Sequence, residues 1–576
     1  MGVVGDVIIR IRIVIGKVAA AATRNKDFFS NLRVMLQHSY RTSSLPGNHR
    51  AHKACAAAAD DNSLKTLGHV RGELRKGFIG CQCNYPKPLD LLCVATHKRA
   101  SSIFKMKKLI LLVTTFIGLS VQADKPNIVF YFIDDLGWTD VSFMGSKYYE
   151  TPHVDQLSRE GMKFMDAYAC APNCAPSRAC LMSGLYGPRH GVYTVGNSDR
   201  GQAKFRKLIP TKNTTELAGR FVTIAETLKS AGYVTATMGK WHLGADPTTQ
   251  GFDVNIAGKH WGSPSGGGYH SPYNYPNLVT KEKGEYLTDR LGREACEFIE
   301  TNKDKPFFLY LTHYAVHTPI QSKPELKAKY QKKLTVGGHK NAAYAGMIES
   351  MDDSIGAVQA TLKRLKLEDN TIVIFFSDNG GHGGVTSNAP LRGSKGMLYE
   401  GGIREPLVVK WPGVTKAGST CREPVIGVDL YPTFMEAAEI KRPKKLKLDG
   451  LSLVPCLKDA SAALGRDALY WHFPAYLQGY TARHGAFRTT PAAAVRMGDW
   501  KLIEFFEDGE LELYNLRKDL GEKNNLAGKM PEKVKELYAS MLKWRKATKA
   551  PVPSEKNPLY DPKAKFSQGK GGRKKK

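Results

Sequence analysis

Four short apolar segments, rich in β-branched and aromatic residues, recur along the chain, and each ends abruptly at polar residues. They span residues 127–133, 233–238, 307–311 and 371–376. Continuous apolar runs of this length are typical of strands buried on both faces of a parallel sheet. Helical patterns at 223–231 and 287–300 lie between them, so the chain alternates as βαβ units do. This order predicts an α/β fold.

Polar residues follow directly after each of these predicted strands. In chain order they are Asp134 and Asp135, then Lys240 and His242, then His313 and His317, and finally Asp378 and Asn379. In an open α/β sheet, ligands bind beyond the carboxyl ends of the strands. We therefore expect these residues to meet there and form a functional site.

The acidic residues of this group predict a metal ion. Asp134, Asp135 and Asp378 would bring three negative charges together, which is costly unless a cation lies among them. With the amide oxygen of Asn379 they form a set of hard oxygen ligands, which favours calcium over zinc and would also suit magnesium. The alternative is that such pairs are solvated turns or helix caps, which is the commoner case for a single pair.

A cysteine begins a further predicted helix, in the pentapeptide Cys-Ala-Pro-Ser-Arg at residues 174–178. Residues four apart share a helical face, so Arg178 can reach back over Cys174, and the free N–H groups of the first turn favour an anion. The pattern indicates a nucleophile in a positive pocket, and the alternative is a structural cysteine beside a surface arginine. The flanking Cys170 and Cys180 are interpreted as packing residues or as a disulfide.

These residues belong to longer motifs that occur together in one chain. The motifs are Cys-Ala-Pro-Ser-Arg at 174–178, Gly-Lys-Trp-His-Leu-Gly at 239–244, Ser-Asp-Asn-Gly-Gly at 377–381 and Leu-Arg-Gly-Ser-Lys-Gly-Met-Leu-Tyr-Glu-Gly-Gly-Ile-Arg-Glu-Pro at 391–406. From about residue 125 to residue 527 the chain resembles the type I sulfatases of the alkaline phosphatase superfamily. The resemblance implies a large mixed, mainly parallel sheet sandwiched by helices. It also implies that a maturation enzyme oxidises Cys174 to formylglycine, whose hydrated aldehyde is the nucleophile.

By the same resemblance, the polar residues have roles in sulfate ester hydrolysis. Calcium would be held by the modified residue 174 together with Asp134, Asp135, Asp378 and Asn379. The sulfate would be surrounded by three cations, Arg178, Lys240 and Lys395, which stabilise charge in the transition state. His317, with Lys395 near it, would protonate the leaving oxygen, and His242 would be the base that breaks down the covalent intermediate.

Two histidines follow the third strand, and a lone histidine near a strand end is usually a hydrogen-bonded structural residue. His313 lies two residues past its strand and could compete with His317 for the catalytic role. The family pattern places its histidine before a turn such as Thr318-Pro319. This favours His317.

A loop at residues 251–276 is rich in glycine, proline and aromatic residues and predicts the site of substrate recognition. Its His260, Trp261 and His270 are candidates for contacts to sugar rings, and His382 beside the metal pair is another. The segment resembles that of bacterial sulfatases acting on galactose-type or N-acetylgalactosamine-type sugars. The alternative is a packed Ω-type loop without a role in binding.

The chain is expected to divide into five parts. The catalytic domain spans 124–460. Short strand patterns at 469–473, 494–495, 500–504 and 511–516 precede a helical pattern at 531–546, which predicts a smaller C-terminal subdomain at 461–548 with an antiparallel sheet and a helix. A basic tail, 549–576, is predicted to be disordered.

The amino-terminal part contains a secretory signal in an unusual place. Residues 106–123 combine Lys107-Lys108, an apolar run and a small-residue cleavage site, Val121-Gln122-Ala123. We therefore expect export to the periplasm or beyond, with residues 1–105 an extension that is absent from the natural protein. A membrane anchor or targeting arm, suggested by the apolar residues 7–15, is the less favoured alternative, and stable membrane insertion is not expected.

Composition agrees with a large enzyme that acts on an acidic substrate. The chain has 576 residues, 42% of them hydrophobic, and a formal net charge of +30. A positive field attracts a sulfated polysaccharide, whereas no recognised motif organises the basic residues for nucleic acid. Three rival functions remain: a phosphatase or phosphodiesterase of the same superfamily, a non-catalytic polyanion-binding protein in which Cys174 is not converted, and a nucleic-acid binder, which would show salt-sensitive binding without turnover.

Overall fold

The structure is a computed structural model that describes residues 125–566. The strands are β1 Asn127–Ile133, β2 Met162–Phe164, β3 Ala167–Tyr168, β4 Val234–Gly239, β5 Val254–Ile256, β6 Phe307–Thr312, β7 Thr371–Ser377, β8 Leu407–Lys410, β9 Thr420–Cys421, β10 Val425–Ile426, β11 Leu469–Phe473, β12 Leu477–Thr481, β13 Gly485–Thr489, β14 Ala492–Met497, β15 Trp500–Phe505 and β16 Leu511–Asn515. The α-helices are α1 Pro152–Glu160, α2 Cys174–Ser183, α3 Gly187–His190, α4 Ile224–Ser230, α5 Leu287–Thr301, α6 Pro324–Gln331, α7 Ala342–Arg364, α8 Glu400–Ile403, α9 Leu430–Ala437, α10 Val454–Lys458 and α11 Pro531–Thr548.

An eight-stranded sheet lies at the centre of this part of the chain, in the order β5-β4-β6-β1-β7-β8-β2-β9. The five strands from β5 to β7 are parallel, with Ile128 of β1 opposite Phe308 of β6 and Ile372 of β7. β8 is antiparallel to both β7 and β2. The prediction of a mixed, mainly parallel sheet is confirmed, and its four apolar runs are β1, β4, β6 and β7.

Helices cover both faces of this sheet, which is why its central strands are buried and largely apolar on both faces. Val129 and Tyr131 of β1 belong to one core cluster, which includes residues of α5 and α7. Ile128 and Phe130 point to the opposite face and pack with residues of α2, α4 and α9. Successive side chains of a strand alternate between faces, so a sheet between two helical layers needs apolar residues at both.

A second, antiparallel sheet follows in the C-terminal part, in the order β11-β14-β15-β16. On one of its faces, Leu537 and Met541 of α11 pack against Val495 and Leu502. The predicted C-terminal sheet with a terminal helix is therefore observed. A separate hairpin, β12–β13, was not predicted from the sequence and pairs antiparallel.

The segment at residues 551–561 differs from the predicted disordered tail. The side-chain amide of Asn557 donates to the carbonyls of Ala203 and Arg206, each at 2.8 Å. The backbone N–H of Ile209 donates to the carbonyl of Glu555 at 2.8 Å. Hydrogen bonds to a distant loop thus hold a segment whose polar composition alone suggested disorder.

Several predictions concern residues that the structure does not describe. The extension at 1–105, the signal at 106–123 and the last ten residues of the basic tail all lie outside residues 125–566. Within that range, none of the helices is long and apolar enough to cross a membrane.

Candidate active site

The carboxyl ends of neighbouring parallel strands meet the first turn of α2 at one edge of the central sheet. Asp134 and Asp135 follow β1, and Asp378 follows its neighbour β7. One possible ligand atom from each of Asp134, Asp135, Cys174 and His317 lies within 4.8 Å of the others. Residues that are far apart in sequence are therefore brought together, as the sheet geometry predicts.

Each carboxylate at this edge is paired with a cation. The three pairs are Lys240 Nζ to Asp134 Oδ2 at 2.7 Å, Lys395 Nζ to Asp135 Oδ1 at 2.7 Å and Arg178 Nη2 to Asp378 Oδ2 at 2.8 Å. The first and third pairs are completely buried. The protein's own cations thus offset the like charges, so repulsion among carboxylates is not by itself a reason to expect a metal.

The donor atoms nevertheless fit a hard divalent cation. Asp134 Oδ1 and Asn379 Oδ1 are buried and accept no hydrogen bond from any residue in the described range 125–566. Asn379 Nδ2 donates to Asp135 Oδ1 at 2.9 Å, which leaves its amide oxygen for another partner. Buried acceptors without a partner are costly. These two oxygens, of Asp134 and Asn379, lie beside the carboxylates of Asp135 and Asp378. Together they match the oxygen ligands that calcium or magnesium prefers.

Cys174 is the first residue of α2, and every residue of that helix is buried. Burial raises the pKa of the Cys174 thiol, although the charges of Lys240 and Lys395 oppose this. The thiol is therefore not an activated thiolate at neutral pH. Arg178 lies one turn further along and donates from Nη1 to the carbonyl of Lys240 at 2.8 Å, in addition to its pair with Asp378.

The two flanking cysteines, Cys170 and Cys180, are both buried free thiols. Cys180 Sγ lies 3.3 Å from Nε2 of His190. The side chains of Cys170 and Cys180 also contact each other, so both interpretations, packing residues and a disulfide, stay predictions.

His242 is confined in the loop after β4. Its backbone is left-handed, with φ at 65°, and its N–H donates to the carbonyl of Lys259 at 2.8 Å. Burial, and then the positive charge of Lys240, lower the pKa of His242 well below its ordinary value, so its imidazole is neutral and able to accept a proton. Gly262 lies against the ring, because a Cβ there would be only 2.4 Å from His242 Cε1.

Of the two histidines after β6, His317 lies at the site. Its Nδ1 is 2.7 Å from the carbonyl oxygen of Thr318, which favours a proton on Nδ1, and its Nε2 lies 3.6 Å from Asp135 Oδ2. His313 instead lies 3.0 Å from Ser354 Oγ through its Nε2. Burial and then Lys395 lower the pKa of His317 to about 3, and the negative charge of a sulfate ester would oppose this shift.

An open cleft of about 480 Å³ gives access to these residues. Of the predicted residues, those that line it are Cys174, His242, His317, His382 and Lys395. Polar residues that sequence reasoning missed also line it, among them Arg200, Gln478 and Arg488. These three lie in a loop and in the hairpin β12–β13, where a basic or polar residue is usually solvated, so no sequence signal distinguished them.

The predicted recognition loop contributes Gly262 and Ser263 to the cleft. His260, Trp261 and His270 are not among the residues that line it. Trp261 packs edge-on against Tyr275, and His270 packs against Tyr286. A role for these three residues in substrate binding stays a prediction.

Comparison with known families agrees with the motifs. Residues 126–440 match the family described as Sulfatase. Residues 394–548 match the family described as N-sulphoglucosamine sulphohydrolase, C-terminal. The first match alone covers more than half of the chain.

Two relatives show how far the similarity extends. A sulfatase of Formosa agariphila is 35% identical over 480 residues, which cover 71% of this chain and 85% of that protein. The N-acetylgalactosamine-6-sulfatase of Homo sapiens is 32% identical over 374 residues, which cover 59% of this chain and 67% of that protein.

Solved structures are similar as well. The crystal structure of Ps i-CgsB has a TM-score of 0.62 and 32% identity, and the alignment covers 73% of this chain and 93% of that one. A phosphonate monoester hydrolase from Silicibacter pomeroyi has a TM-score of 0.54 at 20% identity, covering 74% and 96%; this likeness concerns the fold alone. With a family match over more than half its length and sulfatase relatives from bacteria and mammals, this chain belongs to the sulfatase family of the alkaline phosphatase superfamily and is a sulfuric ester hydrolase.

Proposed function

We propose that this protein is an exported sulfatase that removes sulfate from a carbohydrate, of galactose or N-acetylgalactosamine type. Its nucleophile would derive from Cys174 after conversion to formylglycine by a maturation enzyme, and calcium would be its metal. The observation that carries the proposal is the position of Cys174, at a helix start whose sulfur lies within 4.8 Å of carboxylate oxygens of Asp134 and Asp135. These two carboxylates are paired with Lys240 and Lys395.

The chemistry of Cys174 supports conversion. Burial keeps its thiol protonated, so an unmodified Cys174 would be a weak nucleophile. A hydrated aldehyde at the same position would supply a hydroxyl nucleophile whose reactivity does not require a thiolate. The N-terminus of α2 beside it favours negative charge.

Four residues would hold calcium beside residue 174: Asp134, Asp135, Asp378 and Asn379. Bound there, the ion would act as a Lewis acid and orient a sulfate oxygen. The unpartnered oxygens of Asp134 and Asn379 support this assignment.

Three cations of the site would stabilise the sulfate group. Arg178, Lys240 and Lys395 are all buried, and a buried cation acts strongly on charge that develops on the sulfate oxygens. Their carboxylate partners hold them in place. Burial alone would lower the pKa of Lys395, but the charge of Asp135 and its hydrogen bond outweigh this, so the pKa lies above the usual range.

The two histidines would move protons. His317 Nε2 faces the cleft and would protonate the departing sugar oxygen, once the charge of the substrate favours the imidazolium. His242, whose neutral imidazole is imposed by burial, would accept the proton of the hydroxyl that expels sulfate. General acid and base groups of this kind typically contribute about 10²- to 10⁴-fold in rate.

The substrate class rests on the relatives. The relatives from mammals include N-acetylgalactosamine-6-sulfatases, and Ps i-CgsB was crystallised with k-i-k-neocarrahexaose. On this chain, an open cleft lined by several polar and charged side chains together with apolar surface suits a saccharide.

Two measurements test the proposal. Conversion of Cys174 lowers the mass of its peptide by about 18 Da, a change that ordinary thiol oxidation does not produce. The converted protein should release inorganic sulfate from sulfated galactose or N-acetylgalactosamine saccharides, and the Cys174→Ala variant should fold but release none. An unconverted cysteine without turnover would favour the polyanion-binding alternative, and faster hydrolysis of an aryl phosphate than of the aryl sulfate would favour a phosphatase.

Export is tested separately. If the signal at 106–123 is used, the mature protein should begin at Asp124, as determined by N-terminal sequencing of the secreted or periplasmic form. A mature chain that retains residues 1–105 would contradict the proposed start.

A further inference from the structure

Two arginines on the wall of the catalytic cleft are not used by the proposed mechanism. Arg200 lies in the loop before α4, and Arg488 lies on β13 of the C-terminal hairpin. Both line the cleft that contains Cys174, and both are partly buried. Each therefore presents a guanidinium to whatever binds beside the catalytic group.

Neither arginine has an acidic partner. Among residues 125–566, no carboxylate forms a salt bridge with Arg200 or Arg488, whereas Lys395, which lines the same cleft, is paired with Asp135. The hydrogen bonds of the two side chains go to backbone carbonyls: Arg200 Nη1 to Val195 at 3.4 Å and Arg488 Nη1 to Lys395 at 3.2 Å. A guanidinium has five N–H donors, so most donors of both groups remain for a ligand.

The two positive charges also act on each other. Burial, and then the charge of Arg488, lower the pKa of Arg200. Burial also lowers the pKa of Arg488, and the charge of Asp135, which forms its ion pair with Lys395, opposes this only in part. Two positive charges that are partly removed from water repel each other, and an anion between or beside them lowers the cost of this repulsion. A neutral sugar hydroxyl would not relieve this repulsion.

The loop that carries Arg200 is fastened to the hairpin. The backbone N–H of Tyr476 donates to the carbonyl of Ser198 at 2.8 Å. Gly201 packs so closely on Phe487 that a Cβ at position 201 would be 2.7 Å from the ring. Because Gly201 and Phe487 are the chain neighbours of the two arginines, this contact holds the arginines on the same part of the wall.

The side chain of Arg488 is positioned by two glycines. A Cβ at Gly396 would be 3.0 Å from Arg488 Cδ, and a Cβ at Gly479 would be 3.4 Å from Arg488 Cβ. The stem of the arginine thus lies across Gly396, the residue that follows Lys395. This places the guanidinium beside the catalytic lysine rather than in bulk solvent.

We infer that Arg200 and Arg488 bind a second anionic group of the substrate, a sulfate or a carboxylate, next to the sulfate that is hydrolysed. Arginine suits either group, because its planar fork can make two parallel hydrogen bonds to two oxygens. The inference rests on the proposed function and narrows its substrate to saccharides that carry at least two anionic groups.

The test compares three kinds of galactose or N-acetylgalactosamine disaccharide: with one sulfate, with two sulfates, and with one sulfate and one uronate carboxylate. For the native enzyme, we expect kcat/KM to be at least about 10-fold higher on a dianionic than on the monoanionic disaccharide, the size of one charge-assisted hydrogen bond. The two dianionic probes distinguish a sulfate from a carboxylate as the preferred group.

Arg200→Gln and Arg488→Gln should remove most of this preference, mainly by raising KM for the dianionic probes. Arg488→Lys, which keeps the charge and loses the fork, should retain part of it. Arg517→Gln is the matched control, since the side chain of Arg517 is 78% exposed and pairs with Asp499. Thermal unfolding shows that each variant is folded.

The outcome separates this inference from the proposed function. Sulfate release from the monoanionic probe tests the function alone. If release is too slow to measure, calorimetric binding of the same probes to the Cys174→Ala variant, with and without Arg488→Gln, gives the comparison. The inference is overturned if the native protein shows no preference for a second anionic group, or if folded Arg200→Gln and Arg488→Gln variants keep it.

Discussion

Replacing Gly262 with alanine tests whether the position of His242 controls turnover. A Cβ at residue 262 would lie 2.4 Å from Cε1 and 2.6 Å from Nε2 of His242, whereas ordinary contact begins at 3.4 Å. The ring would have to move by about 1 Å to regain ordinary contact. The imidazole is buried and its backbone is already left-handed, so we expect the displaced ring to leave its working position. Misplacement of about 1 Å can cost about 10²-fold in rate.

The assay is the steady-state release of sulfate from a sulfated saccharide, with kcat expected to fall about 100-fold. Gly219→Ala is the matched control, because a Cβ at that position meets nothing within 4 Å. Peptide mass shows that Cys174 is converted equally in both variants, and thermal unfolding shows that both are folded. A folded, converted Gly262→Ala variant with kcat within about threefold of the native value would refute the reasoning, since a catalytic base cannot tolerate a shift of that size.

Three further predictions concern other residues of the structure. Asp378→Asn should lose bound calcium as measured by elemental analysis, and unchanged metal stoichiometry would remove Asp378 from the ligand set. His317→Ala should lower kcat by about 10²- to 10⁴-fold on a sugar sulfate but much less on a nitrophenyl sulfate, whose leaving group needs no proton; equal losses on both would exclude a general acid. Burial, more than its neighbour Glu400, raises the pKa of Glu522 from 4.5 to about 7, against the charge of Lys501. Between pH 4.5 and pH 7, Glu522 is therefore mainly ionised in the unfolded chain but mainly protonated in the folded protein. The folded protein accordingly loses stability as the pH rises from 4.5 through 7, because its buried carboxyl group ionises less readily than that of the unfolded chain. Glu522→Gln should become more stable relative to the native protein from pH 5 to pH 8, by at most about 3 kcal/mol in chemical denaturation, and a pH-independent difference would contradict the shift.

Much of the fold could be predicted because its signals are local. Each central strand is a mainly apolar run, since a sheet covered by helices on both faces buries both sets of side chains. The predicted run 127–133 matches β1, and the predicted helix at 287–300 differs from α5 by one residue. The polar residues after the strands could be expected to meet, because the carboxyl ends of parallel strands share one edge of the sheet.

Charge pairing at the site could not be predicted in the same way. The sequence showed three carboxylates and suggested that a metal must offset them. In the structure Lys240 reaches Asp134 and Lys395 reaches Asp135, across 106 and 260 residues of sequence. The unpartnered oxygens of Asp134 and Asn379, which only the folded geometry reveals, are a better argument for the ion.

The sequence by itself determined that the chain is an α/β protein with the motifs of a sulfatase, because periodicity and short motifs lie within single segments. Only the tertiary structure showed that His317 lines the cleft while His313 lies beside Ser354, and only it brought Arg200 and Arg488 to the wall of that cleft. The physical reason is that a side chain's partners depend on which distant segments pack beside it. The residues next to it in the sequence do not specify these distant partners.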